Sequence, residues 1–215
     1  MYIPKHFEES RVDVMHALIR AHPLATLVTL TSNGIVANHI PLHLSESPAP
    51  FGTLQGHVAR SNSVWKEYSP DIEALAVFQG PESYITPSWY ATKKETGEVV
   101  PTWNYAVVHA YGSLRVIDDP AWLRSQLEKL TSDNESRRPE PWQVSDAPIE
   151  YTEKLIAAIV GFEFVISKLS GKWKVSQNQP SANRAGVISG LQELGTPNAL
   201  QMAAIVPEDG KDTPK

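Results

Sequence analysis

Two β-rich runs flank the tripeptide Ser32-Asn33-Gly34, and that arrangement constrains the fold more than any other feature of the chain. Residues 25–30 and 35–44 are rich in valine, isoleucine, leucine and threonine, the composition of half-buried strands. Asn-Gly between such runs is the strongest local hairpin signal, because both residues tolerate the positive φ that the tight turn needs. A hairpin is therefore the first object predicted. Pro41 has no N–H to give to a ladder, so within the second strand it marks an edge, a bulge or a lapse in pairing.

Further β-like segments cover residues 52–59, 73–78, 105–117, 161–169 and 173–176. The segment 104–117 is long for one strand, and Gly112 offers it a place to bend. Helical patterns between the strands are short. Val12, Met15 and Ile19 recur at helical spacing until His22-Pro23 stops them, residues 63–68 form a second candidate, and residues 121–130 carry Leu123, Leu127 and Leu130 on one side. Asp119-Pro120 places a capping side chain and a helix-compatible proline just ahead of that third pattern. Residues 131–148 are polar and proline-containing and read as a surface loop. Past Pro180, Ala185, Ile188, Leu191 and Leu194 predict a C-terminal helix, followed by a weaker alanine-rich one ending near Val206. Many strands with few long helices favour a mainly β barrel over a doubly wound sheet: one domain over residues 1–206 with peripheral helices and a C-terminal helical segment, then a flexible tail, 207–215.

A chain of 215 residues can bury a large core without staples, and it contains no cysteine. Disulfides, thiolate nucleophiles and cysteine-based metal sites are thereby excluded. The net charge of −5 argues against a surface that embraces DNA on all sides. The N-terminal Met1-Tyr-Ile-Pro-Lys-His-Phe has neither a basic leader nor an apolar core, so cytoplasmic residence is the expectation. The longest apolar stretch, 155–166, is interrupted by Gly161 and Glu163 and falls short of the roughly 20 residues of a membrane helix, so no membrane span is expected.

Chemistry-bearing residues gather in three places. Ser170-Gly-Lys-Trp-Lys-Val-Ser-Gln-Asn178 sets Lys172, Lys174 and Ser176 on one face if Trp173 and Val175 face the core, and no acidic residue occurs from 168 to 184. Such a face suits a phosphate, or equally a solvated edge strand. In Gly56-His-Val-Ala-Arg60-Ser-Asn62 a strand runs into a short helix that Ser61 or Asn62 can cap, and Arg60 adds a fork of donors for an anion. The third cluster is Phe78, Tyr84, Trp89, Tyr90, Trp103 and Tyr105, whose prolines hold the backbone out of a regular ladder. Its rings suit a planar heterocycle, a dimer interface or simple packing. His39 and His43 lie four apart on the presumed second strand but lack the spacing of a zinc site, so no metal is expected. Hydrolase and kinase fingerprints are absent: there is no Gly-x-Ser-x-Gly elbow, phosphate loop or dinucleotide glycine motif.

These motifs, together with Met1-Tyr-Ile-Pro-Lys-His-Phe, His39-Ile-Pro-Leu, Gly80-Pro-Glu-Ser-Tyr-Ile-Thr-Pro-Ser-Trp-Tyr and Val100-Pro-Thr-Trp-Asn-Tyr, resemble in order the signatures of the PaiB-type FMN-binding regulator family, nearly to Leu194. Ser63 stands where the family commonly has proline, and Gln179 where arginine often follows. The resemblance implies an FMN-binding split barrel that works as a homodimer. It implies that His57, Arg60 and Asn62, with Lys174, Ser176 and Gln177, surround the ribityl chain and phosphate, that Thr102, Trp103, Asn104, Trp89 and Tyr90 flank the ring from the same or the partner subunit, and that His39 lines the pocket. It further implies negative transcriptional regulation, for which the residues offer little: no helix-turn-helix pattern, and only the C-terminal helices with Arg184 to contact DNA. An FMN-dependent oxidoreductase with a nicotinamide donor is the alternative, and a haem-binding or haem-degrading protein a lesser one. No catalytic residue is identifiable.

Overall fold

The computed structural model describes residues 1–208, so most of the expected tail, 209–215, lies outside the described residues. Strands β1 (Glu8–Glu9), β2 (Leu24–Thr31), β3 (Gly34–Pro41), β4 (His43–Ser45), β5 (Thr53–Ala59), β6 (Ala74–Ile85), β7 (Thr102–Ile117) and β8 (Ile159–Lys174) alternate with helices α1 (Val12–Ala21), α2 (Val64–Glu67), α3 (Pro120–Glu135), α4 (Ile149–Ala157), α5 (Ser181–Leu194) and α6 (Pro197–Ile205). The strands form one sheet in the order β3-β2-β6-β7-β8-β5-β4, with β1 added to β8. The ladders β2–β3, β2–β6, β4–β5, β5–β8 and β1–β8 are all antiparallel.

The expected split barrel does not form: the sheet is an open path whose ends are β3 and β4. Nor is the chain mainly β, since long helices stand beside the strands and make the fold mixed α/β. Hydrophobic alternation reports that a strand has a buried face, and it carries no information on whether the outermost strands meet.

The hairpin is as predicted, pairing Thr31 with Gly34 and running to Leu24 opposite Pro41. Gly34 has φ of 112°, which the turn demands and glycine supplies without strain. Pro41 ends β3, so His43 falls on a different strand from His39. Gly112 does not break β7; a side chain there would run into the carbonyl of Val165, so glycine serves close approach rather than a corner. β6 likewise runs through Gly80-Pro81 to Ile85, where the prolines were expected to interrupt it.

The chain divides into two compact units, and β6, β7 and β8 each contribute to both. The first unit comprises 1–11, 79–108 and 170 onward; its core gathers Ile85, Tyr90, Val175, Val187, Leu191, Met202 and Val206 under α5 and α6. The second, 12–78 and 109–169, buries Ile19, Leu27, Leu54, Phe78, Leu123 and Phe164. Asp119 caps α3 as expected, accepting from the amides of Ala121 at 2.7 Å and Trp122 at 3.1 Å.

Candidate functional site

In the first unit, the end of β8 and the start of β7 bring together Lys174, Thr102, Trp103, Asn104, Ser176 and Gln177. Lys174 is the last residue of β8, and its ammonium donates to Thr102 Oγ1 and, at 2.6 Å, to the Trp103 carbonyl. Beyond it the backbone turns sharply: Ser176 is 3% exposed and holds φ of 64°, a conformation costly for any side chain. Two side chains brace this turn. Asn104, itself 1% exposed, donates to Ser176 Oγ at 2.9 Å, while Gln177 accepts from the Val175 amide at 2.8 Å and donates back to the Trp173 carbonyl. Trp103 is 53% and Tyr84 47% exposed, with rings edge to face at 6.0 Å.

The electrostatics are one-sided. Lys172, which shares a strand face with Lys174, is buried, and no carboxylate pairs with either lysine among the described residues. Burial, and secondarily the charge of Lys172, pushes the Lys174 ammonium below the ordinary lysine range. Glu8 stands opposite Lys172 on β1 without an ion pair between them, and two lysines on one strand face suit an anion. The observation fits a flavin phosphate, and the exposed Trp103 and Tyr84 rings fit a planar heterocycle.

Trp89 and Tyr90, expected to flank a ring, pack against α5 and α6. The indole of Trp89 lies against Gly190 and its carbonyl against Gly186, both on α5, and Tyr90 is buried in the α5–α6 core, where desolvation pushes its phenol up.

The remaining residues lie in the second unit. His57 on β5 shares a 2.9 Å hydrogen bond with Gln126 Oε1 of α3. Arg60 spends its fork on protein: both Asp118 oxygens at 2.9 and 2.6 Å, the Ala157 carbonyl at 3.0 Å and the Ile159 carbonyl at 3.0 Å. Their mutual hydrogen bonds raise the Arg60 pKa and lower that of Asp118. Asn62 donates to Asn38 Oδ1 at 2.8 Å and accepts from the Val64 amide at 3.0 Å, but the N-cap of α2 is Ser63, which makes no side-chain capping bond, rather than the expected Ser61 or Asn62. His39 pairs with Thr26 Oγ1 at 3.2 Å on exposed β3. Arg60 therefore ties the ends of β5 and α4 to the starts of β8 and α3. Asp118 was not legible as its partner, since 58 residues separate the two.

A large antiparallel sheet flanked by helices, with two lysines and exposed aromatic rings gathered in its first unit, is compatible with a flavin-binding class of protein. Residues 1–168 match the family described as "Putative FMN-binding domain", and the chain belongs to it. It is 36% identical to an uncharacterised protein of Emericella nidulans, over 98% of each chain. It is 31% identical to the protease synthase and sporulation protein PAI 2 of Bacillus subtilis, over 96% of each. Among solved structures it resembles the FAD and haem binding protein of Mycobacterium smegmatis, with a TM-score of 0.57 and 16% identity over 78% of this chain and 73% of that one, a likeness of fold. No helix of the described residues is long and apolar enough to cross a membrane.

Proposed function

We propose that this chain binds FMN at the Lys174 cluster and works as an FMN-dependent oxidoreductase drawing on a nicotinamide donor. The lysine pair at the end of β8 carries the reading, because a phosphate monoester brings close to two negative charges at neutral pH. Lys174 and the braced Ser176 turn hold the phosphate end, Asn104 and Gln177 keep that turn in shape, and Trp103 with Tyr84 borders the ring. A flavin bound there supplies electron transfer between donor and acceptor, while the protein orients it and limits access of water. His57, Arg60 and Asn62 in the second unit, and Trp89 and Tyr90, are separate proposals from the family resemblance, each already engaged by protein groups. A homodimer is the proposed working form, the half-exposed Tyr84 and Trp103 suiting a partner surface, and sedimentation velocity reads it directly.

Regulation by direct DNA contact draws less support. Arg184, the basic residue expected to serve it, donates to the Pro207 carbonyl at 3.0 Å and the Gln179 carbonyl at 2.7 Å. The deciding test is an absorbance spectrum of the purified protein, a titration with FMN, and anaerobic addition of NADH or NADPH. Bound flavin that bleaches and then reoxidises in air supports the oxidoreductase. Bound flavin that resists both donors sinks that activity, and a colourless protein indifferent to FMN sinks the cofactor.

A further inference from the structure

A cavity of about 430 Å³ opens in the second unit between the C-terminal half of α3 and residues 141–145, within the size range of small-molecule sites. Its wall is held by bonds of its own. Glu135, the last residue of α3, accepts from Arg138 Nε at 3.0 Å and from the Trp142 amide at 3.3 Å, and the buried Val144 pins the far end. The stretch that reads in the sequence as a surface loop is thus a braced wall. Facing it, Glu128, Thr131, Ser132 and Glu135 follow at helical spacing on one side of α3.

The lining joins the half-exposed indole of Trp142 to two carboxylates and several hydroxyls, with no lysine or arginine among them. Arg138 compensates Glu135, whereas Glu128 forms no ion pair among the described residues. A concave wall of net negative charge concentrates cations, and an indole is the best ring face for holding one.

We propose that this cavity binds a small organic cation, an alkylammonium group held over the Trp142 ring and against the Glu128 carboxylate, with the hydroxyls of Thr131, Ser132 and Ser145 accepting from its N–H groups. The site uses no residue of the Lys174 cluster, and it stands whether or not the flavin reading does. The competing occupant is a neutral sugar, which also stacks on indole and bonds to hydroxyls. A sugar leaves the Glu128 charge unanswered.

Calorimetric titration of the full chain separates the two, using choline, tetramethylammonium and butylammonium against glucose and dimethylbutanol, the uncharged carbon isostere of choline. At least one of the cations should bind, and choline should bind more tightly than dimethylbutanol. Trp142→Leu and Glu128→Gln should each weaken cation binding about three- to thirtyfold, Trp142→Phe should keep part of it, and the Glu128→Gln loss should shrink at high salt. Melting temperatures equal to wild type show that the fold is kept; should Trp142→Leu melt lower, Glu128→Gln alone decides. The site is overturned if none of the three cations binds, if choline and dimethylbutanol bind equally, or if a variant that keeps the fold leaves cation affinity unchanged. Glucose bound in place of the cations makes the cavity a sugar pocket and overturns the cation site as well.

Discussion

Ser176 is where the chain accepts the most local strain. Among the described residues it is the non-glycine position with positive φ, at a cost of about 1–2 kcal/mol for an L residue. What holds it there is the hydrogen bond from the buried amide of Asn104, whose loss would leave an unpaired donor costing roughly 1–3 kcal/mol. Ser176→Ala keeps the strain and loses the bond, so it should destabilise by about 1–3 kcal/mol. Ser176→Gly loses the bond but relieves the strain, and should cost about 1 kcal/mol less. Urea unfolding of both decides it, and equal losses would mean that the turn stores no strain. Lys174 predicts a pH dependence. Its native pKa lies below the unfolded value, so between the two the unfolded chain binds more protons and stability rises with pH. The penalty of the charged lysine is thus fully present below the native pKa and is lifted as pH rises toward 10.5. Denaturation midpoints should climb across the alkaline range, and Lys174→Met should flatten the slope; a slope unchanged in that variant would place its origin elsewhere.

At the scale of elements, α5 is built to receive Trp89. Side chains at Gly186 and Gly190 would collide with the Trp89 carbonyl and indole respectively. Alanine gains about 1 kcal/mol of helix propensity over glycine, but overpacking costs about 1–3 kcal/mol, so packing wins and both Gly→Ala changes destabilise. Gly186→Ala should be the worse, since a backbone carbonyl cannot rotate aside as a ring can. Combining Gly190→Ala with Trp89→Ala should recover the propensity gain, and a strictly additive double-mutant cycle would refute the contact. This seam also shows what the sequence leaves open at Trp89: aromatic residues beside prolines suit a ligand and a helix alike, and the contact with α5, some 90 residues later, leaves no local trace. Element boundaries were legible where their signal is local, as with Asn33-Gly34 and the Asp119 cap. They failed where it is not. β8 runs unbroken through Gly171, which the sequence left between two β-like segments, because Gly171 and Lys172 pair with the distant Glu9 and Glu8. α4 was hidden because its last residues and the first of β8 read as one apolar stretch, divided only at Ala158.

Across the whole molecule, the sequence motifs that looked like one site are shared between two compact units. Arg60 bonds the carbonyl of Ile159, the first residue of β8, whereas Lys174 is its last. Motif order along the chain was legible, since each motif is a local pattern; the partners that occupy Arg60 and His57 are set by tertiary contacts of 58 and 69 residues and leave no local trace. Closure of the sheet was illegible for the same reason. The two sets can be told apart by where a flavin slows amide exchange. FMN at about 100 times its Kd should stabilise the chain by about 2.7 kcal/mol, and that protection must be distributed over the residues it touches or orders. Because Arg60 has already given its donors to Asp118, Ala157 and Ile159, the amides of residues 57–62 should exchange alike with and without FMN, while those of 102–104 and 172–177 slow. Hydrogen exchange by mass spectrometry reads both in one experiment. Slowing at 57–62 that Arg60→Ala abolishes would make Arg60 a flavin ligand as well as a clasp, and slowing there without any at 172–177 would move the cofactor out of the Lys174 cluster altogether.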